Sequence, residues 1–158
     1  MPTLRIKLLG DFQLMVDADP IQTVNQPRLQ SLLAYLLLHR QFPQSRQHLA
    51  FTFWPELPES SARNNLRQLL HQLRHALPEA AQWLRADVNT VQWLADGPFQ
   101  LDVAEFDGAA SAAFAAESSS DRRAVSRALQ QAANLYLGDL LPGCYDDWIA
   151  PERERLRR

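Results

Sequence analysis

The stretch Ser60-Ser-Ala-Arg-Asn-Asn-Leu-Arg-Gln-Leu-Leu-His-Gln-Leu-Arg-His-Ala-Leu77 decides how this chain is read. Ala62, Leu66, Leu69, Leu70, Leu73 and Leu77 recur at i, i+3, i+4 and i+7, the spacing of a helix buried along one stripe. Asn64, Arg67, Gln68, His71 and His75 point the opposite way, with Arg63 and Arg74 on a flank. No acidic residue lies between Ser60 and Pro78. A solvated surface helix ordinarily mixes Glu with its Arg for i,i+4 support. A free face of Arg, Asn, Gln and His instead carries the side chains that meet base edges and phosphates.

The segments before this helix give it a setting. Leu4-Arg-Ile-Lys-Leu8 alternates as a half-buried strand, Gly10-Asp11 signals a turn, and Phe12–Val16 makes the return strand. A second turn at Asp17–Pro20 leads to a short strand near Ile21. Leu29, Leu32, Leu33, Leu36 and Leu37 form the stripe of a first helix that starts after Asn25, with Pro27 in its first turn, and ends near His39 or Arg40. Ser45 is an N-cap for a second helix, Arg46 to Trp54, with Leu49, Phe53 and Phe51 as candidate core. Pro55 and Pro58 stiffen the link Trp54–Glu59, and Ser60 or Ser61 is the expected cap of the third helix.

Beyond Ala80 the pattern returns to strand. Trp83–Ala86 and Val91–Leu94 flank a polar turn at Asp87–Thr90, a hairpin. Asp96-Gly97-Pro98 reads as a boundary. A short sheet, three helices with the third basic, and a closing hairpin is the order of a winged helix-turn-helix. There the later helix of the pair enters the major groove, and the hairpin forms the wing. The expected fold is therefore α+β: a winged helix-turn-helix with an N-terminal antiparallel sheet over residues 1–97, followed by an all-α, tetratricopeptide-like segment over 98–158. In the second part an alanine-rich helix runs to about Ala116. Glu117–Asp121 is a polar loop, Arg122–Leu137 is helical, and Asp146 or Asp147 caps a last helix through Leu156.

Composition narrows the function. The chain has 158 residues, 46% hydrophobic and 22% charged, with a net charge of −2. That is a globular composition, and any nucleic-acid contact must come from a local patch. Residues 98–158 carry the acidic excess, and the basic excess sits mainly in the third helix. The longest apolar run, Leu32–Leu38, is too short to span a bilayer, and the N-terminus lacks a secretory signal, so a cytoplasmic location is expected. The single cysteine, Cys144, excludes an internal disulfide and any multi-cysteine metal site, and a structural thiol is its expected role. His71 and His75 stand at i, i+4, a spacing able to hold zinc. There is no Glu between them as in His-Glu-x-x-His, so no metal site is expected. No phosphate-binding glycine loop is present, and neither catalytic residues nor a cofactor are expected. Trp54, Trp83, Trp93 and Trp148 read as core or interface anchors.

Several stretches together resemble the SARP-type bacterial transcriptional regulators. These are Leu8–Phe12, Arg28–Arg40, Phe53-Trp-Pro-Glu56, Ala62–Arg67 and Leu73–Pro78. Leu135–Gly143 with Asp147-Trp148 looks like the start of that family's bacterial transcriptional activator domain. The resemblance runs from Leu4 to about Arg155, with the motifs in family order. It implies an OmpR/PhoB-like winged helix whose third helix reads direct repeats in promoter DNA, and a helical second domain used for dimer contacts. It further implies contact with RNA polymerase through the loop Trp54–Glu59. Gln72 departs from the basic residue common in relatives. The stop at Arg158, inside a helix, reads as a fragment of a longer regulator.

The expected DNA contacts divide by chemistry. Asn64 and Gln68 suit paired amide contacts to adenine, and Arg67 suits a bidentate contact to guanine. Arg63, His71 and Arg74 suit phosphates, and Arg85, Asn89 and Thr90 of the wing suit phosphate or minor-groove contact. The competing reading is a protein-interaction adaptor whose winged helix no longer binds DNA.

Overall fold

The computed structural model describes all residues except 1–2, 18, 25, 78–82, 95–98, 119–121, 143–146 and 158. The expectations placed on Pro78, on the Asp96–Pro98 boundary, on most of the Glu117–Asp121 loop, and on Cys144 and Asp146 lie outside the described residues. The chain is α+β, with seven strands and six α-helices among the described residues. It divides into two compact units.

One unit joins residues 1–20, 99–143 and 151–158. Strands β1 (Leu4–Lys7), β2 (Gln13–Val16) and β3 (Asp19–Pro20) form the expected N-terminal sheet, with β3 slightly ahead of Ile21. The β1–β2 connection needs Gly10, whose φ of +94° lies where a side chain is strained. The sheet has a fourth strand that the sequence pattern did not suggest. It is β7 (Phe99–Leu101), parallel to β1 with Leu4 opposite Phe99 and Ile6 opposite Leu101. The edge of this sheet is thus completed from beyond residue 98.

Helix α4 (Asp102–Ser118) starts directly after β7 and pairs with α5 (Arg122–Leu135). Asp102 anchors this junction. Its buried carboxylate accepts the N–H groups of Leu8, Leu9 and Val103 at 2.8–2.9 Å. Burial pushes the Asp102 carboxyl above its ordinary value, outweighing the downward pull of these bonds. Helix α6 (Ala150–Arg157) follows a 3-10 turn at Asp147–Ile149. Arg153 of α6 holds the carbonyls of Leu140 and Leu141, and Arg155 pairs with Asp107 at 2.8 Å.

The second unit, residues 21–98 and 144–150, contains α1 (Pro27–Leu38), α2 (Arg46–Phe53), α3 (Glu59–Ala76) and a three-stranded sheet. In that sheet β5 (Leu84–Ala86) and β6 (Thr90–Trp93) make the expected hairpin. The added strand β4 (Gln44–Ser45) pairs with β6 from the other side. The leucine stripes of α1 and α3 are buried as their spacing predicts, and Trp83 and Trp93 are fully buried beside them. Ser45 caps α2 by accepting the His48 N–H at 3.2 Å. Two details differ from expectation. Phe51 is 69% exposed, and Ala50 takes the buried position between Leu49 and Phe53. No serine caps α3. Extended Pro58 flanks it, so the helix starts at Glu59, and the Pro58 carbonyl accepts the Ala62 N–H. Glu59 stands in that first turn, where a carboxylate favours the helix dipole.

Candidate nucleic-acid interface

Helix α3 seats Ala62, Leu66, Leu69, Leu70 and Leu73 inward and leaves Arg63, Asn64, Arg67, Gln68, His71, Arg74 and His75 exposed. At about 0.8 kcal/mol per buried CH₂, the four leucines hold the helix rigidly enough to present the other face in one register. The polar face is held lightly. Arg63 lies 3.9 Å from Glu59 with both side chains largely exposed, an ion pair worth little. Arg67 Nη2 donates to Asn64 Oδ1 at 2.7 Å. The rings of His71 and His75 meet edge-on, 4.3 Å between centroids. Among the described residues, no three His, Cys, Asp or Glu come together as a metal site would need.

The N-terminal half of α3 shares a cleft with other elements. Arg46, Ser60, Arg63, Asn64, Arg67 and Val88 line one open concavity. Arg46 is the first residue of α2, and Val88 is the tip of the β5–β6 hairpin, 83% exposed. Thus three arginines, from α2 and α3, line one space beside the wing. The Arg46 backbone N–H donates to the Asn89 carbonyl at 2.9 Å, so the wing turn and the start of α2 are tied. Its Nε is buried and has no hydrogen-bond partner among the described residues.

The wing turn is built by Asp87. Its carboxylate accepts the N–H groups of Thr90 and Asn89 at 2.7 and 2.8 Å, and the Thr90 hydroxyl at 3.1 Å. These bonds, with the charge of Arg46, hold the Asp87 carboxyl below its ordinary value. Of the wing residues expected at a ligand, Arg85 is exposed in the middle of β5 and the Asn89 side chain is exposed. Thr90 is half-buried and its hydroxyl is already bound to Asp87. The structure therefore brings Arg63, Asn64 and Arg67 together with the wing tip. It leaves Gln68, His71 and Arg74 farther along the same helix.

Arg46 was missed because its segment was read for its core alone. The signal in the sequence is a cation at the first position of a helix, where it opposes the helix dipole.

The loop after α2 is also fixed from below. The Arg28 guanidinium lies 5.3 Å from the Trp54 ring centroid and 5.8 Å from that of Phe53, and it donates to the Phe53 carbonyl. Beside this loop, Phe51, Trp54, Pro55 and Leu57 line a groove together with Gln47 and Glu59.

A three-helix unit closed by a hairpin, with a basic helix exposed beside that hairpin, defines the winged helix-turn-helix class, here accompanied by a helical segment. No protein-family model matches the chain. It is 30% identical over 153 residues to the regulatory protein AfsR of Streptomyces coelicolor (strain ATCC BAA-471 / A3(2) / M145), covering 97% of this chain and 15% of that protein. In fold it is similar to Mycobacterium tuberculosis EmbR, solved in complex with a low affinity phosphopeptide. The TM-score is 0.83 at 23% identity, over 99% of this chain and 42% of that one. The resemblance to the SARP-type transcriptional regulators is thus joined by a sequence match to a Streptomyces regulatory protein over nearly the whole of this chain. It spans 15% of the length of the regulator it matches in sequence.

Proposed function

We propose that this chain is a sequence-specific DNA-binding regulator, an activator that reads promoter repeats through the helix over residues 60–77 and the wing hairpin. Residues 1–97 would supply the winged-helix DNA-binding part, and residues 98–158 the N-terminal part of a helical activator domain. The observation that carries this reading is the cleft in which Arg46, Arg63 and Arg67 converge beside an exposed wing tip. Concentrated positive charge with amide side chains on a rigid helix suits a groove edge flanked by phosphates.

In this reading Arg67 meets a guanine edge and Gln68 reads beside it. Arg63, His71 and Arg74 grip the backbone, and Arg85 and Asn89 work from the wing. Arg46 joins the backbone group. RNA polymerase is the proposed partner of the loop Trp54–Glu59, whose Trp54 ring is pinned by Arg28 and whose groove offers Phe51 and Leu57. A homodimer on direct repeats, a cytoplasmic location and the absence of a cofactor complete the proposal.

Gel-shift titration on the promoter beside the gene, from low to high salt, tests it. Binding that weakens steeply with salt is expected. Failure to shift any duplex at low salt would overturn it in favour of the protein-interaction adaptor.

A further inference from the structure

Asn64 and Arg67 stand three residues apart on the exposed face of α3, about one turn, and are joined by a 2.7 Å hydrogen bond from Nη2 to Oδ1. Both line the cleft that also holds Arg46 and Arg63. Three arginines line that cleft, like charges in one region, and an arginine has several rotatable bonds with which to swing away. A neutral amide oxygen one turn back holds Arg67 in place without cancelling its charge.

The bond also changes what Asn64 offers. Paired recognition of adenine needs an asparagine to accept from N6 through Oδ1 while it donates to N7 through its NH₂. Here Oδ1 is engaged by the guanidinium. Arg67, with five N–H donors, gives one to Asn64 and keeps four for an outside acceptor.

We infer that Asn64 is a positioning residue and not an adenine reader: it orients Arg67, and the two read one G·C base pair as a unit. The inference rests on the DNA-binding reading above. Immobilising a rotamer-rich side chain before binding removes an ordering cost equivalent to about three- to tenfold in affinity.

The test selects sites for the wild-type chain from a random-sequence duplex pool. Asn64→Ala, Arg67→Ala and the double variant are then compared on every single-base variant of the selected site. Both residues are exposed and alanine favours helix, so helical circular dichroism should be unchanged. Asn64→Ala should weaken binding about three- to tenfold. Its loss of discrimination should fall on the same G·C pair that Arg67→Ala relaxes, and the double variant should be no worse than Arg67→Ala. Additive losses, with Asn64→Ala relaxing a separate A·T pair, would show that Asn64 reads a base itself and overturn the inference. If wild type enriches no sequence and shifts no duplex at low salt, the DNA-binding reading fails and the inference falls with it.

Discussion

Leu8 and Leu9 leave the end of β1 with their N–H groups turned inward, and the carboxylate of Asp102 receives both. Without it two buried donors would go unsatisfied, at about 1–3 kcal/mol each. Asp102→Ala should therefore destabilise the chain by about 2–4 kcal/mol in urea denaturation. Because burial raises the Asp102 carboxyl, its titration favours the folded state fully below the ordinary aspartate value, and that part is lost as pH rises through the raised folded value. Asp87 behaves oppositely. Its carboxyl is held below 3.8, so its contribution is present above the ordinary value and lost as pH falls through the depressed one. In an NMR titration the Asn89 and Thr90 amides should move with a midpoint below the ordinary aspartate value. A midpoint at or above that value would contradict the bonding seen in the turn.

At the scale of elements, the leucine stripe of α3, the Ser45 cap and the β5–β6 hairpin were all legible, because periodicity, capping and turn chemistry are local. Phe51 was misjudged because helical spacing in an eight-residue helix does not separate it from Ala50, and tertiary packing chose the smaller residue. Strand β4 was invisible. It is two residues long and exists only through pairing with β6, far along the chain. The same distance hid the link between Arg46 and the wing. If Arg46 grips a phosphate, Arg46→Ala should weaken binding nearly uniformly across sequences and reduce the slope of log K against log salt by about one. An unchanged slope would remove Arg46 from the interface. The candidate residues on α3 were thus readable from one helix, whereas the cleft required three elements to meet.

For the whole molecule, the boundary near residue 97 was read from Asp-Gly-Pro composition, which marks a break in chain texture but says nothing about pairing. The pairing crosses it, since β7 lies against β1 and Asp102 against Leu8 and Leu9. A fragment of residues 1–97 would keep the leucine-lined helices and lose the strand and carboxylate that complete the sheet. Its melting temperature should fall by about 10 °C or more relative to the full chain. Equal melting would mean that the sheet is self-sufficient.

The parallel strand at Phe99–Leu101 has a consequence in time as well as in space. Its partner, Leu4–Ile6, is made first, and residues 21–98 are made before the two can meet. On the ribosome the β1–β2 hairpin therefore emerges with one edge open. The three-helix unit is made while that edge waits, and the sheet cannot close before Phe99–Leu101 has left the ribosome.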